Sequence, residues 1–299
     1  MQFIKYTDVK EFYKDTYDIL MRHEAQNLIL LGNLITGNKG EDKTDWRDPA
    51  SWFMALVMDD VTAGSRELNP LPQIKLIALM TPPWNITLYA VDNLTSNEAI
   101  SCLVEGIMKN DVPMPGVITE NKLGMAFAKT YSEATGKEYR INKNMRQYVL
   151  TDVNPEISIT GKLRLSRKED MAFLPYWKEG FQHDCFSHPA VPKSDPEPYH
   201  YLINTGRLYI MENDGIPVSM AMINREMQNV CGVSNVYTPP YFRGKGYASS
   251  CVAELSRIIL KKGYKSCVLY TDLDNPTSNS IYQKIGYKPI CDSCEILFH

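Results

Sequence analysis

Residues Arg243-Gly244-Lys245-Gly246-Tyr247-Ala248 stand between an apolar, β-like run and a long stretch with helical apolar spacing. This segment constrains the chain more than any other, because strand, glycine turn and helix must succeed one another within a few residues. Glycine reaches backbone conformations that other residues resist and lets a ligand approach the main chain closely. The helix predicted from about Ser249 to Lys262 points its first N–H groups and its positive dipole end into the same turn. Arg243 and Lys245 add charge. A pyrophosphate needs several converging N–H donors, and this arrangement supplies them.

The order of residues removes two phosphate-binding alternatives. A P-loop requires Gly-x-x-x-x-Gly-Lys-Ser/Thr, with a hydroxyl after the lysine for magnesium, whereas Lys245 is followed by Gly246. A dinucleotide fold requires Gly-x-Gly-x-x-Gly, and the third glycine is replaced by Ser249. Taken alone, Arg-Gly-Lys-Gly also fits an ordinary basic turn at a helix start.

The flanks narrow the choice. Upstream, Val233-Ser-Asn-Val-Tyr-Thr-Pro239-Pro240 is a β-rich run halted by two prolines that cannot donate to a ladder. Such a strand end keeps backbone groups available for an extended ligand. Downstream, Ser266–Thr271 reads as a strand, followed by Asn275-Pro276 and a short helix from Ser278 to Ile285. Gly286 is a good helix stop, since it tolerates the left-handed conformation. Arg243, Gly246 and Ala248 fit the acyl-CoA signature Arg/Gln-x-x-Gly-x-Gly/Ala, and Asn275, Tyr282, Gly286 and Tyr287 fit a second signature in order and spacing. On these two motifs, residues 160–299 resemble the GNAT N-acetyltransferase superfamily.

Length and composition suit a two-part globular chain: 299 residues make about two typical domains, with 44% hydrophobic and 22% charged residues. A net charge of −3 gives no basic surface for nucleic acid. No apolar run reaches the roughly 18 residues of a membrane span, and the N-terminus has no secretory pattern. The 7 cysteines are scattered and odd in number, which points to reduced, mostly buried thiols in a cytoplasmic protein. His183-Asp-Cys185-Phe-Ser-His188 and Cys291-Asp-Ser-Cys294 each lack a second ligand pair at zinc spacing, so no metal is expected.

The residue pattern predicts a mixed α/β fold. In the first half, Asp8 caps a helix running to about Leu31, Leu34–Pro49 reads as a loop, and strands and helices alternate to about Leu150. The polar, proline-containing Asp152–Ser158 is the candidate linker, placing one domain at 1–155 and another at 156–299. In the second, a helix is predicted over Lys168–Gly180, and Asn213-Asp-Gly215 signals a hairpin. Met80-Thr-Pro-Pro-Trp84 echoes Tyr237-Thr-Pro-Pro-Tyr241. If the echo marks a duplication, the first half is a GNAT-like domain without the phosphate cradle; otherwise it is an unrelated α/β domain.

The resemblance implies a mostly antiparallel sheet flanked by helices, and acetyl-CoA as co-substrate for an amine acceptor. It implies that backbone groups near Val236 and Thr238 pair with the pantetheine arm, that Arg243, Gly244, Lys245, Gly246, Tyr247 and Ala248 grip the pyrophosphate, and that Asn275 contacts the pantetheine. Asn275 is equally well explained as a helix cap before Pro276. The resemblance also implies that Tyr282 protonates the departing thiolate; a core tyrosine with a bonded hydroxyl is the plainer alternative. No general base stands at a motif position: Asp272, Asp274, His183, His188 and His200 are candidates, while Ser234 and Asn235 occupy a stretch where many relatives carry a carboxylate. Trp46, Trp52 and Trp84 fit either core or pocket. The leading expectation is N-acetyl transfer to a primary amine. The alternative is an acyl-CoA-binding regulatory protein without turnover. A third reading, an aminoacyltransferase of the tandem type that recognises aminoacyl-tRNA, wants a basic surface that this chain lacks.

Overall fold

The computed structural model describes residues 1–40, 48–60, 73–91 and 96–299, which leaves Trp46 outside the described residues. The fold is mixed α/β, with mostly antiparallel strands flanked by helices. The chain divides into two compact units: residues 1–146, 272–274 and 291–299 form the first, and 147–271 and 275–290 the second.

The first unit runs β1 (Gln2–Tyr6), α1 (Val9–Met21), α2 (Leu28–Lys39), β2 (Phe53–Met58), β3 (Ile74–Met80), β4 (Ile86–Ala90), α3 (Asn97–Lys109), β5 (Gly116–Glu120) and α4 (Asn121–Thr135), and continues into β6 (Tyr139–Leu150). Strands β1 to β4 pair antiparallel in order, and β5 joins β4 in parallel. Helices α3 and α4 supply Leu103, Val104, Phe127 and Tyr131 to a core with Val57, Ala78, Leu88 and Val117. Trp52 is buried, whereas Trp84 is exposed. The single helix predicted from Asp8 to Leu31 is two helices. The buried Asn27 side chain donates to the Leu20 carbonyl at 3.0 Å, taking the acceptor that a continuous helix would have used. The segment from Leu34 remains helical to Lys39 and stops at Gly40, whose φ is +66°, so the loop predicted from Leu34 starts later.

The second unit contains β7 (Lys162–Leu165), α5 (Leu174–Phe186), α6 (Glu197–Asn204), β8 (Leu208–Asn213), β9 (Ile216–Glu226), β10 (Val230–Tyr237), α7 (Tyr247–Lys261), most of β11 (Ser266–Asp272), α8 (Pro276–Ile285) and the start of β12 (Lys288–Phe298). Strands β7 to β10 pair antiparallel in order, and β11 joins β10 in parallel. The helix predicted over 168–180 is displaced: Lys168–Ala172 is a 3-10 turn and α5 follows, with Pro175 in its first turn, where no N–H is needed. The Asp214-Gly215 turn joins β8 to β9 with both φ angles positive, the geometry of a two-residue hairpin. The polar stretch after β6 is tied to this unit, since Val153 is buried in its core and Asn154 N–H donates to the Ile285 carbonyl at 2.8 Å.

Both units follow one element order, β-α-α-β-β-β-α-β-α-β, and in both the fourth and fifth strands form the parallel pair. The sixth strand is exchanged along the chain. Strand β12 pairs with β5 in the first unit, while β6 gives Tyr148 and Leu150 to the core of the second. The Thr-Pro-Pro echo does not mark this repeat: Met80 ends the third strand of its unit and Tyr237 ends the fourth.

Candidate active site

Strand β10 sets the site's geometry. Its parallel pairing with β11 covers only Val230–Gly232 against Ser266–Val268. Further on, β10 follows β9 through a shift, with Ser234 opposite Met222 and Tyr237 opposite Met220, so three steps on one strand match two on the other. Asn235 sits in this bulge with φ of +50°. Beyond Gly232 the two parallel strands are no longer paired, and Val236 and Thr238 lie on that part of β10 and just after it. The strand end is held from β9: the buried Ser219 hydroxyl donates to the Tyr237 carbonyl at 3.0 Å and shares a hydrogen bond of 2.9 Å with the Thr238 hydroxyl.

After a 3-10 turn at Pro240–Phe242, Gly244 and Gly246 both take left-handed φ angles, +76° and +79°. Gly246 is the N-cap of α7, so the helix begins at Tyr247, earlier than its pattern predicts. The first intrahelical bond here is from Ser250 N–H to the Gly246 carbonyl at 3.0 Å, leaving the N–H groups of Tyr247, Ala248 and Ser249 without helical acceptors. A Cβ placed on Gly244 or Gly246 would meet nothing within 4 Å. The glycines are there for conformation, and the space over the turn is open. Ser250 braces it: its hydroxyl accepts from Thr160 N–H at 2.9 Å and donates to the Gly246 carbonyl at 3.1 Å.

The two basic residues differ. Lys245 is exposed and, among the described residues, makes no ion pair. Arg243 is engaged by the protein although exposed: Nε–H donates to the Thr238 carbonyl at 2.9 Å, Nη2 meets Asp184 of α5 at 2.6 Å, and the guanidinium lies 5.7 Å from the Tyr237 ring centre. Its side chain stiffens the turn, and Asp184 offsets part of its charge.

Helix α8 positions two expected residues. Asn275 accepts from Ser278 N–H at 3.0 Å, so it caps the helix. Gly286 ends it with φ of +116°. Between them Tyr282 is only 7% exposed, its ring 6.4 Å from Tyr148 and 6.0 Å from Tyr287. Both neighbours have bonded hydroxyls: Tyr148 donates to Asn279 at 2.9 Å, and Tyr287 shares a 2.8 Å bond with Ser256. The Tyr282 hydroxyl has no hydrogen-bond partner among the described residues. Burial pushes its phenol above the ordinary tyrosine value, and the nearby thiols of Cys185 and Cys251 add to the shift.

Helix α5 lies against the bulge. Lys178 Nζ donates to Asn235 Oδ1 at 2.7 Å, Gly180 leaves no room for a Cβ against the Tyr237 hydroxyl, and Trp177 lies 6.5 Å from the Tyr237 ring. Burial lowers the pKa of Lys178. Of the candidate bases, His183 is bonded to the His188 carbonyl at 2.9 Å, and Asp272 accepts from Asp274 N–H at 2.9 Å within a turn. No cluster of three or more metal-ligating side chains occurs among the described residues. Cys291 and Cys294 lie in β12, Cys294 in the first unit's core. Ser219, Ser250, Tyr148 and Lys178 carry no motif. Their only trace in the sequence is a polar residue breaking an apolar run, as Ser219 does between Val218 and Met220.

Residues 174–287 match the family profile described as Acetyltransferase (GNAT) family. None of the curated proteins matches the chain. Among solved structures, the chain resembles an acetyltransferase from the GNAT family of Colwellia psychrerythraea at 9% identity and a TM-score of 0.57, over 100% of this chain and 99% of that one. It resembles a Drosophila protein at 13% identity and a TM-score of 0.61, over 99% and 98%. A GCN5-related N-acetyltransferase from Sphaerobacter thermophilus matches at 13% identity and a TM-score of 0.59, over 99% and 95%. At such identities these likenesses speak for the fold. No helix among the described residues is long and apolar enough to cross a membrane.

Proposed function

We propose that the protein transfers an acetyl group from acetyl-CoA to a primary amine, a reading supported by the match of its C-terminal unit to the GNAT acetyltransferase family, with an N-terminal domain of unclear identity joined to it. The observation that carries the proposal is the open turn at Gly244–Gly246 leading into α7, beside the place where β10 and β11 part. N–H groups of the turn and of Tyr247 and Ala248 would receive the pyrophosphate, as charge-assisted bonds at a helix start. Lys245 adds a charge at the rim, and Arg243 keeps the turn rigid. Backbone groups at Val236 and Thr238 would pair with the pantetheine arm, with Asn275 at the mouth of α8.

The amine attacks the thioester carbonyl, the C–S bond breaks as the C–N bond forms, and the thiolate needs a proton. Tyr282 is the donor in this scheme, because its hydroxyl is not bonded within the protein although the ring is buried. Burial makes this phenol a weaker acid than in water. A thiolate formed in the same surroundings is raised as well, as the Cys251 thiol, pushed up to about 12, illustrates. The two shifts offset each other. The arriving ammonium must also lose a proton, which costs about 4–5 kcal/mol at neutral pH for an ordinary alkylamine. Water is the carrier consistent with Ser234, Asn235 and Lys178 lining the bulge.

That lining also favours one alternative, an acyl-CoA-binding regulatory protein without turnover. The first unit, with the same strand order, is proposed as a GNAT-like domain that no longer holds CoA. Its β4–α3 connection, 91–96, contains no glycine, and the Leu88 carbonyl accepts from the Thr119 hydroxyl at 2.7 Å. Cysteines that form no disulfide suit a cytoplasmic setting, which is part of the same proposal. An amine panel scored by CoA thiol release decides between the readings: turnover that falls in Tyr282→Phe supports transfer, and CoA binding with no release from any amine supports the alternative.

A further inference from the structure

The bulge of β10 is faced by a cation that, among the described residues, has no acid in direct contact; Glu179, its neighbour in the chain, attracts it only at longer range. Lys178 is half-buried, its Nζ donates to the neutral Oδ1 of Asn235 at 2.7 Å, and it lies 5.3 Å from the Phe181 ring centre. Two other half-buried cations are paired: Arg164 lies between Asp170 and Glu212, each at 2.7 Å, and Arg146 meets Asp292 at 2.6 Å. The acids nearest Lys178 on its own helix are engaged elsewhere. Glu179 accepts from the Tyr199 hydroxyl at 3.0 Å, and Asp184 is bound to Arg243. Lys193 brings a second positive charge close enough to disfavour ionisation of Lys178. An ammonium taken out of water without a counter-ion is costly, and an anion supplied by a ligand removes that cost.

The location gives this cation a role. Asn235, its anchor, is the left-handed residue of the bulge between β10 and β9, past Gly232 where the pairing with β11 ends, and next to Val236. Its amide also reaches the Ser234 hydroxyl and the Met222 sulfur, each at 3.4 Å, and Met222 packs with the α5–α6 core. Lys178 and its anchor therefore lie on the α5–α6 side of the sheet, while Tyr282 and Val236 pack with the α7–α8 core. Acetyl-CoA and the acceptor amine would meet from these two sides.

We propose that Lys178 binds an anionic group on the acceptor, so that the preferred substrate is an amine that also carries a carboxylate, such as an amino acid or a carboxylated polyamine. This rests on the transfer reading given above and adds the acceptor's class. Asn235 holds the ammonium in place through one of its three protons and leaves two for the carboxylate. Lys178 is a specificity residue here, since it touches substrate away from the reacting atoms.

The test is steady-state kinetics of CoA release with matched acceptor pairs, a carboxylated amine against its amide or decarboxylated analogue. Wild type, Lys178→Met and Lys178→Arg are compared, and CoA titration of each variant checks that the fold is intact. The expected result is a wild-type preference for the carboxylated member, an increase of about tenfold or more in its KM in Lys178→Met with kcat nearly unchanged, and partial rescue by Lys178→Arg. KM for acetyl-CoA stays the same. Equal use of both members by wild type overturns the proposal, as does a Lys178→Met variant that loses kcat alike for every acceptor. Wild type that binds CoA but releases none with any amine overturns the transfer reading and this proposal with it, a pattern distinct from indifference to the carboxylate.

Discussion

Replacing Tyr282 with phenylalanine separates catalysis from packing, because only one of the two responds. The ring is 7% exposed between Tyr148 and Tyr287, so its apolar contacts survive the change. The hydroxyl it loses has no partner within the protein and is not one of its fully buried, unsatisfied polar atoms. Its removal therefore breaks no hydrogen bond and relieves no buried one, and stability changes by less than about 1 kcal/mol. At about 2–4 °C per kcal/mol, the melting temperature stays within a few degrees. Turnover does not stay put. Loss of a positioned general acid lowers kcat by about 100-fold or more, while KM for acetyl-CoA stays within about twofold. Tyr287→Phe is the internal control: its hydroxyl is bonded to Ser256 at 2.8 Å, so that variant loses about 1 kcal/mol. Differential scanning calorimetry and CoA-release kinetics on the three proteins provide both readouts. A Tyr282→Phe protein that is less stable by more than about 1 kcal/mol, or that keeps full kcat, refutes the reasoning.

Two further outcomes follow from neighbouring features. Asp184→Asn removes an acid from the edge of the phosphate turn while breaking an ion pair whose side chains are 41% and 48% exposed. Stability should fall by less than about 1 kcal/mol, and CoA should bind a few-fold tighter at low salt, with the gain shrinking at high salt; weaker binding in titration calorimetry contradicts this. The buried thiols of Cys231, Cys251 and Cys267 are each pushed up to about 12 by burial. Below about pH 9 folded and unfolded chains both hold these protons. Above it the unfolded chain sheds them first, so stability is lost as pH rises toward 12, on the order of 1.4 kcal/mol per pH unit for each thiol. Urea melts across this window measure the slope, and a flat profile contradicts it.

What the sequence disclosed and what it hid have a physical basis. The strand–turn–helix at Arg243–Ala248 and the α8 stop at Gly286 were legible because special backbone angles demand glycine, and three of those glycines do have positive φ. The Asp214-Gly215 hairpin was legible for the same reason. Helix boundaries were not. The break between α1 and α2 depends on the Asn27 side chain finding the Leu20 carbonyl, and the placement of α5 depends on Asp170 binding both Arg164 and Arg167 N–H before it. Such tertiary hydrogen bonds leave no periodic signal. Arg243 reads as a phosphate-facing charge in the sequence, yet Asp184, far away in the chain, pairs with it. The repeat was obscured because the two units share an element order and hardly any residues, and because the Thr-Pro-Pro echo falls at unlike positions. Lys178 stayed hidden for the simplest reason: a lysine on a helix reads as an ordinary solvated charge, and only the bulge at Asn235 distinguishes this one.

Calorimetric titration of the protein with CoA and, in parallel, with pantetheine tests the phosphate turn most directly. One CoA should bind per chain, pantetheine roughly 100-fold or more weakly because it lacks the diphosphate, and Gly246→Ala should lose much of the CoA affinity, since an alanine adopts the φ of +79° only with strain. Pantetheine binding as tightly as CoA, or CoA binding unaffected by Gly246→Ala, would contradict this.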